Sequence, residues 1–254
     1  MADLRAREKI ELRIKRQDTP TGRSRWEEFT LPWQASMNVV SCLMEIRKNP
    51  VTSDGEPTTP VHWEASCLEE VCGSCTMLVN GKPRQSCTAL VDSLGDGPIV
   101  LEPLTKFPVV RDLQVDRSSM FDALKRVKAW IPIDGAYDLG PGPRLSPGEQ
   151  EIAYAFSRCM TCGCCMEVCP QYNDHSDFMG PAPIAQVRLF NSHPTGRMNA
   201  SERLAEIMGK GGLVDCGNAQ NCVEVCPKDI PLTEAFGELG RQTTLLWLKQ
   251  QFGK

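Results

Sequence analysis

The sequence has no apolar run near the ~20 residues that span a bilayer. Its first residues, Met1-Ala2-Asp3-Leu4-Arg5, lack an apolar signal core and a twin-arginine pair. The expectation is a chain kept in a reducing compartment, where clustered cysteines bind metal or do redox work rather than form disulfides. An excess of positive charge is also missing. The formal net charge of −4 gives no electrostatic footprint for nucleic acid. Arg5, Arg7, Lys9, Arg13, Lys15 and Arg16 do cluster, but Glu8 and Glu11 interleave with them. They read as a solvated strand face rather than an anion-binding arm. Composition, with 41% apolar and 24% charged residues, gives no reason to infer disorder or low complexity. At 254 residues the chain has room for two modest domains.

What is abundant is cysteine, 13 in all. They fall in two blocks, Cys67 to Cys87 and Cys159 to Cys226, with Cys42 outside. The first block lies in sequence of mixed α/β character. Ile10-Glu11-Leu12-Arg13-Ile14-Lys15 alternates as a half-buried strand does, Gly22 suits the turn, and Glu28 to Leu31 suits the return strand. Asn38 to Lys48 reads as one helix, ended by Asn49-Pro50. Thr76 to Val79 and Arg84 to Leu90 flank Asn80-Gly81, a hairpin signal, and Ile99 to Leu101 reads as a final strand. Beyond Leu104 no comparable strand candidate appears. Ser118 to Trp130 reads as a helix, and Gly135 to Pro147 as a Gly/Pro-rich linker or surface arm. Ser146-Pro147-Gly148-Glu149 has the form of a capping box. Helices are expected near 148–158, 181–192, 200–209 and 232–252, the third ended by Gly211-Gly212. Leu245, Leu246, Trp247 and Phe252 are expected in the helical core rather than on a free membrane helix.

Cys67, Cys72 and Cys75, followed by Cys87, follow C-x4-C-x2-C…C, the plant-type spacing for a [2Fe–2S] cluster. Gly73 supplies permissive backbone between two ligands. The hairpin would return Cys87 to the loop on its second strand. A zinc site is the alternative, although structural zinc more often shows two close pairs. In the second block, Cys159-Met-Thr-Cys162-Gly-Cys-Cys165-Met-Glu-Val-Cys169-Pro170 lies on Cys216-Gly-Asn-Ala219-Gln-Asn-Cys222-Val-Glu-Val-Cys226-Pro227. The shared pattern is C-x2-C-x2-C-x3-C-P, whose fourth cysteine serves the other cluster. Crossover then gives Cys159, Cys162, Cys165 and Cys226 for a [4Fe–4S] cluster. The other set, Cys169, Cys216 and Cys222, lacks a fourth thiolate because Ala219 stands in its place. A [3Fe–4S] cluster is the natural occupant. The alternative is a [4Fe–4S] cluster completed by water, Asp215 or Asn218. Cys42 and Cys164 read as small buried residues.

A plant-type site followed by this broken bacterial pair resembles the iron–sulfur subunits of succinate dehydrogenase and fumarate reductase. The resemblance extends to Asn80-Gly81-Lys82, Phe107-Pro108-Val109-Val110-Arg111-Asp112-Leu113 and Arg188-Leu189-Phe190. Lys128-Ala129-Trp130-Ile131-Pro132 is most similar to the form in Gram-positive and related bacteria, which works with a single di-haem cytochrome b anchor. The resemblance implies an α+β chain: a β-grasp [2Fe–2S] ferredoxin domain over 1–112, a connecting helix and linker over 113–147, and an all-α bacterial-ferredoxin-like domain over 148–254. It implies a partner flavoprotein with FAD, an anchor with haem b, and electron flow through the three clusters to quinone. The chain itself would carry no acid–base chemistry. It would sit peripherally on the cytoplasmic side of the membrane. Many ubiquinone-reducing members have tryptophan after the first Cys-Pro and histidine after the next cluster cysteine. Here Gln171-Tyr172-Asn173-Asp174 follows Pro170 and Gly217 follows Cys216, so menaquinone reacting within the anchor is the expectation.

Overall fold

The computed structural model describes residues 8–131 and 144–252. Arg5 and Arg7 lie outside the described residues, as does most of the Gly/Pro-rich stretch read as a linker. The chain divides into two compact units: Met1–Arg117 with Met160–Cys164, and Ser118–Cys159 with Cys165–Lys254.

In the first unit, period-two alternation produces β1 (Lys9–Arg16), which buries Ile10, Leu12 and Ile14 and exposes Lys9, Glu11 and Arg13. The chain returns as β2 (Arg25–Pro32), antiparallel to β1 with Leu12 opposite Phe29. Strands β3 (Thr76–Val79), β4 (Lys82–Gln85) and β5 (Ile99–Glu102) complete a sheet of order β2-β1-β5-β3-β4. β1 and β5 pair in parallel and the other pairs are antiparallel. Helix α1 (Val39–Lys48) sends Val39, Leu43 and Ile46 into the same core as Ile10, Leu12, Ile14 and Leu101. Asn38 caps it by accepting the Ser41 N–H at 2.9 Å. A mixed sheet with one helix laid on it is the β-grasp arrangement.

Three details differ from the sequence reading. The strand expected over Arg84–Leu90 stops at Gln85. The Ser86 N–H turns to the Cys75 carbonyl at 3.2 Å and Asn38 Nδ2 donates to the Cys87 carbonyl at 2.9 Å, so Cys87 sits in a turn rather than a strand. A two-stranded hairpin, β6 (Val109–Arg111) and β7 (Gln114–Val115), follows Leu104. Strands this short leave no alternation to read. Arg16 is fully buried rather than part of a solvated face. It continues the inward parity of Ile10, Leu12 and Ile14, and Asp112 answers it bidentately, Nε to Oδ1 at 3.0 Å and Nη2 to Oδ2 at 3.2 Å. Glu27 takes Nη1, and the Thr59 carbonyl accepts from Nη2 at 3.1 Å.

The second unit is helical, with no strand among its described residues. Helix α2 (Ser118–Arg126) stops before Trp130. Lys128 takes a left-handed φ of 50° there, and the Ala129 N–H reaches the Leu124 carbonyl at 3.0 Å while the Lys128 N–H reaches Lys125 at 3.0 Å. That is a Schellman stop without its usual glycine. Helix α3 (Pro147–Ser157) opens on the expected capping box: the Glu149 N–H donates to Ser146 Oγ at 3.3 Å and the Ser146 N–H to Glu149 Oε2 at 3.1 Å. Two short helices, α4 (Cys164–Glu167) and α7 (Asn221–Glu224), occupy equivalent places in the cysteine repeats. The remaining helices are α5 (Pro181–Ser192), α6 (Ala200–Met208) and α8 (Leu232–Phe252). Helix α6 ends on Gly209, ahead of the Gly211-Gly212 pair. Ile184, Val187, Leu204, Ile207 and Leu239 join α5, α6 and α8 in one core. That core reaches Leu246 but no further along α8. Leu245, Trp247 and Phe252 are exposed, contrary to the expectation that they pack in the core. Among the described residues no helix is long and apolar enough to cross a membrane.

Candidate iron–sulfur centres

The loop before β3 carries Cys67, Cys72 and Cys75, and Cys87 follows β4. The turn joining β3 and β4 is Asn80-Gly81, with φ of 51° and 75°, the two positive values that a type I′ hairpin requires. Cys75 and Cys87 are thereby packed together against Val40 and Trp63. The loop itself is wound by left-handed residues: Gly73, as expected, and also Leu68 (φ 62°) and Glu70 (φ 58°). Nothing in the sequence marked the last two, since neither residue type favours that region. Their effect is to aim backbone N–H groups at sulfur. The N–H groups of Glu69, Val71 and Cys72 point at Cys67 Sγ at 3.5, 3.3 and 3.3 Å, and that of Ser74 at Cys72 Sγ at 3.5 Å. Burial pushes the Cys72 thiol up, but hydrogen bonds from Cys67 and Ser74 outweigh it and bring it to about 6. Burial, with Cys87 beside it, pushes Cys75 up to about 11. Converging donors suit a set of bound thiolates, so the residues fit an iron–sulfur group. Gly73 has a second duty: a Cβ there would stand 2.8 Å from the Met160 carbonyl oxygen.

The two repeats share their backbone course. Thr161 and Gly163 take φ of 50° and 90°, and the equivalent Asn218 and Gln220 take 51° and 63°. The Cys169 N–H bonds to the Met166 carbonyl at 3.2 Å, as the Cys226 N–H does to Val223 at 3.3 Å. In the second unit Cys159, Cys165, Cys222 and Cys226 pack around Phe156, Ala185, Ile230 and Leu232. Cys169, Cys216 and Cys222 line one cavity, and Ala219 lies on its wall. Burial, then the charges of Cys169 and Cys216, push the Cys222 thiol up to about 11. Three cysteine sulfurs brought to one cavity are a donor set that fits a metal cluster. Asp215 is committed elsewhere, its Oδ2 accepting the Gly211 N–H at 2.7 Å. Cys162 belongs to the first unit, where its carbonyl accepts from Arg117 Nη1 at 3.4 Å.

Residues 11–122 match the family described as a 2Fe-2S iron-sulfur cluster binding domain, and residues 155–230 match a 4Fe-4S dicluster domain. The chain is 62% identical over 240 residues to the succinate dehydrogenase iron-sulfur subunit of Bacillus subtilis, covering 94% of each chain. The chain belongs to the family of succinate dehydrogenase iron–sulfur subunits. It is also similar to the fumarate reductase iron-sulfur subunit of Haemophilus influenzae, at 33% identity over 72% of this chain and 74% of that one. Among solved structures, a chain of the Mycobacterium smegmatis Sdh1 complex superposes with a TM-score of 0.74 at 25% identity, covering 93% of this chain and 95% of that one.

As an iron–sulfur subunit of succinate dehydrogenase, the chain transfers electrons, and it carries [2Fe–2S] and [4Fe–4S] binding domains. Family membership replaces the zinc alternative. Bound clusters supply one-electron chemistry; the protein supplies thiolates, N–H donors and burial. Cys42 is fully buried in the sheet–helix core. Cys164 is fully buried too, and its side chain is the first cause, against burial, of a lowered Cys162 thiol, at about 7.

Proposed function

We propose that Cys67, Cys72, Cys75 and Cys87 hold the [2Fe–2S] cluster, Cys159, Cys162, Cys165 and Cys226 a [4Fe–4S] cluster, and Cys169, Cys216 and Cys222 a [3Fe–4S] cluster. The observation that carries this reading is the cavity shared by Cys169, Cys216 and Cys222, with an alanine methyl where a fourth thiolate would stand. Cys226 packs in one cluster with Cys159 and Cys165, as crossover in the other direction requires, and Cys222 joins the same cluster. The β-grasp domain over 1–112 and the helical domain over 148–254 hold these centres on either side of the 113–147 connection. Electrons enter from FAD in a flavoprotein subunit and leave toward a quinone served by a cytochrome b anchor carrying haem b. Menaquinone is the preferred acceptor. Gln171 and Gly217, which differ from the ubiquinone-type pattern, meet at the cavity wall, where a Gly217 Cβ would stand 2.5 Å from Gln171 Nε2. The subunit sits peripherally on the cytoplasmic side of the membrane.

Crossover is tested by replacing each fourth cysteine in the assembled complex and recording electron paramagnetic resonance (EPR) spectra. Cys226→Ser is expected to damage the [4Fe–4S] signal first, and Cys169→Ser the [3Fe–4S] signal. Loss of the opposite centre in each case would mean that each repeat holds its own cluster.

A further inference from the structure

Gln85 closes β4 and is fully buried, an unusual place for a primary amide. Its Oε1 lies 3.7 Å from Cys75 Sγ, and its Nε2 lies 3.8 Å from Cys164 Sγ. Thr76 Oγ1 touches both ends of the amide, 2.9 Å from Nε2 and 3.1 Å from Oε1, and donates to the Gly73 carbonyl at 2.7 Å. In this orientation the amide oxygen, not the amide N–H, faces Cys75 Sγ. A cysteine that ligates iron has lost its S–H proton to solvent. The amide oxygen would then face a thiolate, lone pair against lone pair. A carboxamide has two nearly isosteric ends, so rotation of the amide group removes the conflict without moving the chain. Nε2–H then donates to Cys75 Sγ, and Oε1 turns to the Cys164 side, within reach of the Thr76 hydroxyl. The Thr76 hydroxyl, both donor and acceptor, accommodates either orientation.

We propose that Gln85 is a positioning residue of the [2Fe–2S] centre: in the loaded protein its side-chain N–H donates to Cys75 Sγ and raises that centre's reduction potential. The proposal rests on Cys75 being a cluster ligand. A donor to a ligand sulfur stabilises the reduced, more negative cluster over the oxidised one. Backbone donors serve Cys67 and Cys72 in the same way, and Gln85 adds a side chain that substitution can remove.

The test is an EPR-monitored redox titration of the intact complex carrying Gln85→Met, which keeps the length of the side chain and deletes its N–H groups. The [2Fe–2S] midpoint is expected to fall, with the other two centres near their wild-type values. An unchanged midpoint with a full [2Fe–2S] signal overturns the proposal. Because a buried substitution can impair assembly, the wild-type complex gives a second reading. With glutamine labelled by ¹⁵N at the side-chain amide, pulsed EPR of the reduced [2Fe–2S] cluster is expected to show a ¹⁵N coupling. An intact signal without that coupling overturns the Gln85 hydrogen bond alone. Absence of any [2Fe–2S] signal from the wild-type complex would overturn the ligand assignment as well.

Discussion

Ala219 is one methyl group on the wall of the cavity that Cys169, Cys216 and Cys222 line. Neighbouring Asn218 and Gln220 keep the left-handed backbone that the first repeat uses around Cys162. The loop therefore still has the shape of a ligand loop and lacks only the sulfur. Ala219→Cys is expected to turn the proposed [3Fe–4S] centre into [4Fe–4S] and to lower its potential, because it adds a thiolate to the ligand set. The three-iron EPR signal of the oxidised protein checks this; its persistence would mean that the repeats are wrongly aligned. The two cluster-binding domains were legible because ligand spacing is a chemical constraint written in sequence order. Leu68, Glu70 and Gln85 were not, because a left-handed backbone or a buried amide is imposed by neighbours that meet only in the folded chain.

At the scale of elements, the strong local signals held. Alternation gave β1, Asn80-Gly81 gave the β3–β4 hairpin, Asn38 capped α1, and Ser146 with Glu149 formed the capping box. What failed were boundaries set by tertiary partners. Helix α2 stops at a left-handed lysine, and β4 stops where Ser86 and Cys87 turn to serve Cys75 and Asn38. Arg16 was misread although its parity with Ile14 was visible, because a charge on an inward position is understandable only once Asp112 is known to face it. Asp112 does more than pair with Arg16: it also accepts the N–H groups of Gln17 at 3.0 Å and His62 at 2.8 Å. It thus ties β1 to the β6–β7 hairpin and to the chain before the cluster loop. Asp112→Ala would leave a buried guanidinium with Glu27 as its remaining carboxylate and two N–H groups without their acceptor. The expected cost is about 3–5 kcal/mol. It should appear as earlier loss of [2Fe–2S] absorbance in a denaturant titration, with the clusters of the helical unit lost later.

For the chain taken entire, the proposed acceptor is lipid-soluble, and among the described residues no helix is long and apolar enough to cross a bilayer. In the proposed reading its contact with the membrane runs through the anchor subunit. The second unit carries a surface suited to that contact. Ile207, Met208, Leu213, Val214 and Trp247 line an open apolar groove, and Val214 is 80% exposed. Leu213 is three residues before Cys216, so the groove lies on the same unit and beside the same segment as the proposed [3Fe–4S] ligands. Exposed apolar surface of this kind marks a protein interface more often than a free surface. Trp247 and Phe252, stacked edge to face at 6.5 Å, extend it along α8. On the proposed function the anchor subunit occupies this groove, bringing quinone near that centre, and the β-grasp domain faces the flavoprotein. Deleting the anchor is expected to release this subunit into the soluble fraction with the flavoprotein still attached. Val214→Glu together with Trp247→Glu, placed on exposed positions, is expected to have the same effect with the anchor present, while the cluster signals stay intact. A subunit that remained on membranes in the absence of the anchor would show that it binds lipid by another route, and the assignment of this groove would fall with it.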